Sequence, residues 1–64
     1  MRDPRRITGT LRIFERLWNR HPDLRFQQIV DLINTEIIFS GKDPHYIEEE
    51  KLNEIIIKLI NKTY

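Results

Sequence analysis

The chain has 64 residues, of which 39% are hydrophobic and 33% charged, with a net charge of +1 and no cysteine. The missing cysteines exclude disulfides and thiolate metal sites, and the low net charge gives no global signal for a polyanion ligand. The composition is too apolar for simple disorder, and no apolar run approaches the ~18 residues of a membrane span. With no signal-peptide pattern visible, we expect one cytoplasmic domain over residues 1–64 and no membrane partner.

Positive and negative charges are separated along the chain. Up to Arg25 there are seven arginines and three acidic residues, a net charge of +4. From Phe26 onward there are four lysines and seven acidic residues, a net charge of −3. Because the arginine fork matches flat anions, the first part is the better candidate for contacts with carboxylates or phosphates. A solvated helix face that keeps the protein soluble explains the same arginines without a partner.

The first segment predicts an amphipathic helix near residues 4–20. Asp3-Pro4 favours its start, since aspartate accepts hydrogen bonds from unpaired amides and proline fits the first turn. His21-Pro22 predicts its end, because the residue before a proline avoids the helical region. The apolar residues recur at helical spacing and form one stripe of Ile7, Leu11, Phe14, Leu17 and Trp18.

A second helix is predicted near residues 24–39, with Asp23 as its cap. Ser40-Gly41 is expected to end it, because glycine adopts the left-handed conformation of a helix C-terminus. In the loop that follows, Tyr46 and Ile47 are expected to point inward as an anchor.

A third helix is predicted near residues 48–62, where glutamates open the segment and lysines close it, as the helix dipole favours. The triplet Ile55-Ile56-Ile57 also has strand propensity, but its charged flanks favour a helix. The three stripes together predict an all-α fold, a compact three-helix bundle. The expected core residues are Phe14, Trp18, Phe26, Ile33, Ile37, Ile55 and Leu59.

Two groups of residues fall outside the core stripes when positions are placed at ~100° per residue. The apolar group is predicted to be a partner interface, with cover for the loop or for the first helix as the alternative; it consists of Leu32, Ile38, Phe39 and Ile57. The basic group lies opposite the core on the first helix and is predicted to meet an anion or an acidic partner, because like charges one turn apart repel; it consists of Arg5, Arg12, Arg16 and Arg20.

Dispersed residues along the chain resemble a group of short uncharacterised proteins from bacterial and phage genomes. The matching residues are Asp3-Pro4, Arg6-Ile7, Trp18, Pro22-Asp23-Leu24-Arg25, Gln28-Ile29, Leu32, Asp43-Pro44, Tyr46-Ile47-Glu48 and Leu52. The chain departs from the pattern at Gln27, where the group often has glycine, at His45, where it has an aromatic residue, and at Glu49 and Glu50, where it has aspartates. The resemblance implies a small helical fold and a phage or prophage origin, and it implies no activity.

Residues for catalysis or metal binding are sparse. Ser40 is the only serine, only Gly9 and Gly41 are available for a phosphate-binding loop, and cysteine nucleophiles are absent. His45 lies near Asp43, Glu48 and Glu49, a set able to bind a divalent ion, but we interpret it as a loop histidine beside helix-capping acids. We therefore expect no enzyme activity, no metal and no cofactor.

Two functions remain open. The surplus apolar surface and the opposite charges of the two ends favour a non-catalytic protein–protein interaction module, acting as a homodimer or by binding a host protein. The alternative is a helix-turn-helix-like nucleic-acid-binding protein, since His21-Pro22-Asp23 forms a tight turn between the first two helices. In that alternative Arg25, Gln27 and Gln28 read base edges while the arginines of the first helix hold phosphates.

Overall fold

The computed structural model describes residues 3–62, which form three α-helices joined by short connections. These are α1 (Arg5–Arg20), α2 (Phe26–Phe39) and α3 (Glu49–Asn61). No strand occurs within residues 3–62, and the isoleucine triplet lies inside α3. The predicted all-α three-helix bundle is therefore confirmed, with helix ends within two residues of those expected.

Asp3 stabilises the start of α1, as the sequence predicts. Its Oδ1 accepts a hydrogen bond from the backbone N–H of Arg5 at 2.9 Å. The Arg5 guanidinium also pairs with the Asp3 carboxylate at 2.8 Å. These hydrogen bonds, first from the Arg5 side chain and then from its backbone, lower the pKa of Asp3 below its ordinary value.

The turn between α1 and α2 is held by Trp18 rather than by Asp23. The Trp18 indole Nε1–H donates to the carbonyl oxygen of Leu24 at 2.8 Å. Helix α2 begins at Phe26, and the Gln28 side chain accepts the backbone N–H of Arg25 at 2.8 Å. The prediction that Asp23 caps a helix starting at residue 24 is wrong, because this side-chain bond places the cap at Arg25.

Helix α2 ends at a left-handed glycine. Gly41 has φ of 80°, its N–H donates to Ile38, and the N–H of Lys42 donates to Ile37. These two bonds satisfy carbonyls of the last turn in the arrangement known as the Schellman motif, which confirms the predicted role of Gly41.

The loop after α2 turns at Asp43, whose Oδ1 accepts the His45 N–H at 2.8 Å. Ile47 packs against the core as expected. Tyr46 does not, because 83% of its surface is exposed, so the prediction of an inward Tyr46 is wrong.

The buried core comes mainly from α2 and α3. Its members are Leu17, Ile29, Ile33, Ile37, Ile55, Ile56, Leu59 and Ile60. Of the predicted core, Ile33, Ile37, Ile55 and Leu59 are buried, whereas Phe14 and Trp18 are partly buried at the edge. Phe26 was placed wrongly in the core: it rests on two rings on one side and is 51% exposed.

Helix α3 packs against both other helices, and the backbones of α1 and α2 hardly approach each other. Two ion-pair sets brace α3 on its two sides. Arg6 of α1 meets Glu49 at 3.1 Å, and Glu36 of α2 meets Lys58 and Lys62 at 3.9 and 3.7 Å. The bundle is therefore closed along α3 and open between α1 and α2.

Candidate functional site

The gap between α1 and α2 forms an apolar groove whose floor is α3. Its hollow has a volume of about 160 Å³. The lining residues are Thr10, Leu11 and Phe14 of α1, Val30, Ile33, Asn34 and Ile37 of α2, Pro44 of the loop, and Leu52 and Ile56 of α3. Since a water occupies ~30 Å³ in the liquid, the hollow is large enough for one bulky side chain.

Four large apolar residues along this groove remain exposed. Leu11 lines the groove at 61% exposure, and Ile7 lies one helical turn before it on the same side of α1. On α2, Ile38 lies one turn after the groove residue Asn34. Phe26 lies one turn before Val30 and contacts Phe14. We call Ile7, Leu11, Phe26 and Ile38 the open face.

A cluster of three aromatic rings closes one end of the groove. Ring centroids lie 5.6 Å apart for Phe14 and Phe26, 5.8 Å for Trp18 and Phe26, and 6.0 Å for Phe14 and Trp18. Such edge and tilted contacts add ~0.5–1.5 kcal/mol per pair beyond area burial. Because the Trp18 hydrogen bond to Leu24 fixes one ring, this end of the groove is a preformed wall.

The groove can bind apolar groups, and its lining residues include no titratable side chain. Thr10 and Asn34 are the polar members of the lining. The Thr10 hydroxyl oxygen is buried and has no hydrogen-bond partner among residues 3–62.

The four residues predicted as a partner interface do not share one surface. Leu32 is partly buried and packs against the core, so its assignment outside the core is wrong. Ile38, Phe39 and Ile57 are exposed, with Phe39 at 88%. Ile38 belongs to the open face, whereas Phe39 lies ~140° from the groove residue Asn34 around α2.

Ile57 is separated from the other predicted interface residues by the position of α3. Around that helix it lies ~80° from Glu49, which pairs with α1, and ~100–140° from Lys58 and Lys62, which pair with α2. Ile57 therefore lies on the side of α3 away from Ile38 and Phe39.

Within residues 3–62, the basic group of α1 divides into one arginine that pairs with a carboxylate and three that do not. Arg5 pairs with Asp3 at 2.8 Å. Arg12, Arg16 and Arg20 are exposed, and no carboxylate among the described residues lies within 4.0 Å of them. We call these three residues the arginine ridge.

The residues assigned to base reading lie at the start of α2, but one already has a structural role. Gln28 binds the backbone N–H of Arg25 at 2.8 Å, so its amide oxygen is occupied. Arg25 and Gln27 are exposed. Gln27 lies ~20° from Asn34 around α2, so it borders the open face. Base reading by these residues stays a prediction.

Within residues 3–62, no three histidine, aspartate or glutamate side chains gather closely enough to hold a metal ion. Asp43 instead accepts the His45 backbone N–H. A second hollow beside this loop, of about 330 Å³, is lined by residues of both charge signs; these are Lys42, Asp43, Tyr46, Ile47, Glu48 and Lys51.

Comparisons of this chain with protein-family models, with curated protein sequences and with solved structures found no match. The resemblance to short bacterial and phage proteins therefore stays a prediction. None of the helices described is both long and apolar enough to cross a bilayer.

Sequence reasoning missed the groove because it assigned Phe14 and Phe26 to a closed core. One available signal was the asymmetry of the apolar arc on α1, where Ile7, Leu11 and Trp18 all lie ~80–120° to the same side of Leu17. An arc that extends this far needs cover on two sides, and α3 supplies only one.

Proposed function

We propose that this chain is a non-catalytic protein–protein interaction module that docks a second copy of itself through the open face. The observation that carries the proposal is the clustering of exposed apolar residues. Of the seven large hydrophobic residues exposed within residues 3–62, Leu11 lines the groove between α1 and α2. Three more, Ile7, Phe26 and Ile38, each lie one helical turn from a groove-lining residue of the same helix. A contiguous apolar surface of this kind is typical of an interface, whereas isolated exposed residues are not.

The energetics favour a reversible dimer. Full burial of a large apolar side chain contributes ~1.5–3 kcal/mol, and the four residues of the open face are about half exposed. Covering them contributes about 4 kcal/mol per chain and about 8 kcal/mol per pair. The free-energy cost of association is ~4–15 kcal/mol, so the gain exceeds the lower end of this range but not its upper end. At the lowest association cost the net free energy is about −4 kcal/mol, so we expect a dissociation constant of about 1 mM.

A second copy is favoured as the occupant because one contact then buries the exposed apolar surface of both chains. A two-fold axis in the plane of the open face apposes two α1–α2 layers, and each chain covers the other. A chain of this size has little core of its own, and oligomerisation is a common way to supply more. The buried set in residues 3–62 is only eight residues, of which α1 contributes Leu17 alone.

The test is the molar mass measured by sedimentation equilibrium at protein concentrations below and above this dissociation constant. The wild type should approach a dimer at the highest concentration. Leu11→Gln should remain a monomer, because it places an amide at the centre of the open face while keeping the net charge. Its helical circular dichroism should be unchanged, since Leu11 is 61% exposed.

Phe39→Gln is the matched control, because Phe39 is the most exposed large apolar residue and lies outside the open face. It should dimerise like the wild type. A dimer that survives Leu11→Gln but is lost in Phe39→Gln would place the interface elsewhere on α2. A wild type that stays monomeric at the highest concentration would refute self-association, and binding of a foreign protein would be the remaining form of the module.

A further inference from the structure

The arginine ridge is a line of uncompensated positive charge. Most other basic residues meet carboxylates: Arg6 pairs with Glu49, and Lys58 and Lys62 share Glu36. The exceptions among residues 3–62, Arg25 and Lys42, each lie singly outside the helices. Lys51 also pairs with Glu54 at 3.5 Å. By contrast, Arg12, Arg16 and Arg20 stand one turn apart with no carboxylate within 4.0 Å among residues 3–62, although like charges at this spacing repel.

The ridge is separate from the open face. Around α1, its arginines lie ~100–180° from Leu11. A second copy seated on the open face therefore leaves the ridge accessible. A ligand can therefore bind the ridge whether or not the chain self-associates.

The choice between an acidic protein surface and a nucleic acid depends on magnitudes. An exposed arginine–carboxylate pair in water typically improves an equilibrium constant by less than about fivefold. Three such pairs give about a hundredfold, before the entropy of association is subtracted. Contacts with the backbone of a nucleic acid gain more, since every neutralised phosphate releases condensed counterions into solution. The planar guanidinium also matches phosphate with two parallel hydrogen bonds.

We propose that the arginine ridge binds the phosphate backbone of nucleic acid without reading its sequence. Three contacts give a logarithmic salt slope of about −2.7 for a DNA duplex. Affinity should therefore fall about 500-fold for each tenfold rise in salt. The ridge therefore binds nucleic acid appreciably only at low salt or at high local concentration. At higher salt it can only add to other contacts between the protein and the nucleic acid.

The experiment measures fluorescence anisotropy of mixed-sequence duplex DNA against salt concentration. The full-length Leu11→Gln chain is the protein used, so that each particle carries one ridge and the result does not depend on self-association. Arg16→Gln in this background should reduce the slope by about 0.9 and weaken binding at low salt. Lys42→Gln is the matched control: it removes the same charge from an exposed loop position and should leave the slope unchanged.

Three results would overturn the proposal. An equal loss in the Lys42→Gln and Arg16→Gln chains would mean that net charge, and not the ridge, governs binding. Competition by polyglutamate as strong as by unlabelled duplex would identify a general acidic-partner surface instead. Sequence-selective binding that depends on Arg25 or Gln27 would replace the ridge by base reading at the start of α2.

Discussion

The two sides of α1 differ in how completely they are covered. Toward α3, Leu17 is buried against an isoleucine-rich helix and the Arg6–Glu49 ion pair braces the first turns. Toward α2, Leu11 remains mostly exposed and the contact is concentrated in a cluster of aromatic rings. The same helix is thus part of a closed core on one side and of an open groove on the other.

This difference shows how a short chain distributes a limited number of large apolar residues. Helix α3 contributes half of the buried residues, and it forms the floor of the groove between the other two helices. On the side opposite α3, no helix within residues 3–62 covers α1 and α2. Four of the seven exposed large apolar residues, those of the open face, lie on this side, where a partner can complete the bundle.

The largest effect is expected on the closed side of α1, at two adjacent isoleucines of α3. Ile56 is 1% exposed and Ile57 is 40% exposed. Ile56→Ala should reduce the free energy of unfolding by ~2–5 kcal/mol through lost burial and a cavity. Ile57→Ala, with the same change in composition, should cost less than about 1 kcal/mol. Urea denaturation followed by circular dichroism gives both values, and equal losses would contradict the assignment of a closed side.

A smaller effect is expected at the start of α2, which holds the aromatic end of the groove in place. Gln28→Ala removes the acceptor of the Arg25 N–H and should cost ~0.5–2 kcal/mol, as caps typically do. Gln27→Ala is the control, since Gln27 is exposed and makes no hydrogen bond of this kind among the described residues. Matched unfolding curves for the two variants would show that the side-chain bond does not stabilise the helix.

The smallest effect concerns pH at the start of α1. Arg5 lowers the folded pKa of Asp3, so the interaction between them stabilises the folded chain fully above the unfolded pKa of about 3.8. It disappears as pH falls through the lower folded pKa. Asp3→Asn should lower thermal stability slightly at neutral pH, and the difference should vanish in strong acid. A difference that persists at low pH would mean that charge is not its source.

The sequence predicted the helices well because their signals are local. Asp3-Pro4, His21-Pro22 and Ser40-Gly41 each act within one turn of the chain, and each marks a boundary that the structure confirms within two residues. The cap of α2 was misplaced because Asp23 and Gln28 both suit a helix start, and only the backbone path of the turn decides between them.

The groove was beyond prediction because it depends on distances between helices. Periodicity places Phe26 on the core side of α2, but it does not reveal that α1 stays too far away to cover that ring. For Ile57 helical spacing was sufficient, since the residue lies off the predicted core stripe and is 40% exposed. Helical spacing identified surplus apolar residues, and the packing decided which of them share a surface.

The most direct test of the central claim is a dilution series of ¹H–¹⁵N NMR spectra of the wild-type chain. If the open face docks a second copy, amide signals of Leu11, Phe26 and Ile38 should shift with concentration, while those of Phe39 and Ile57 should stay in place. Shifts centred on Phe39 or Ile57, or spectra that do not change with concentration, would contradict the account.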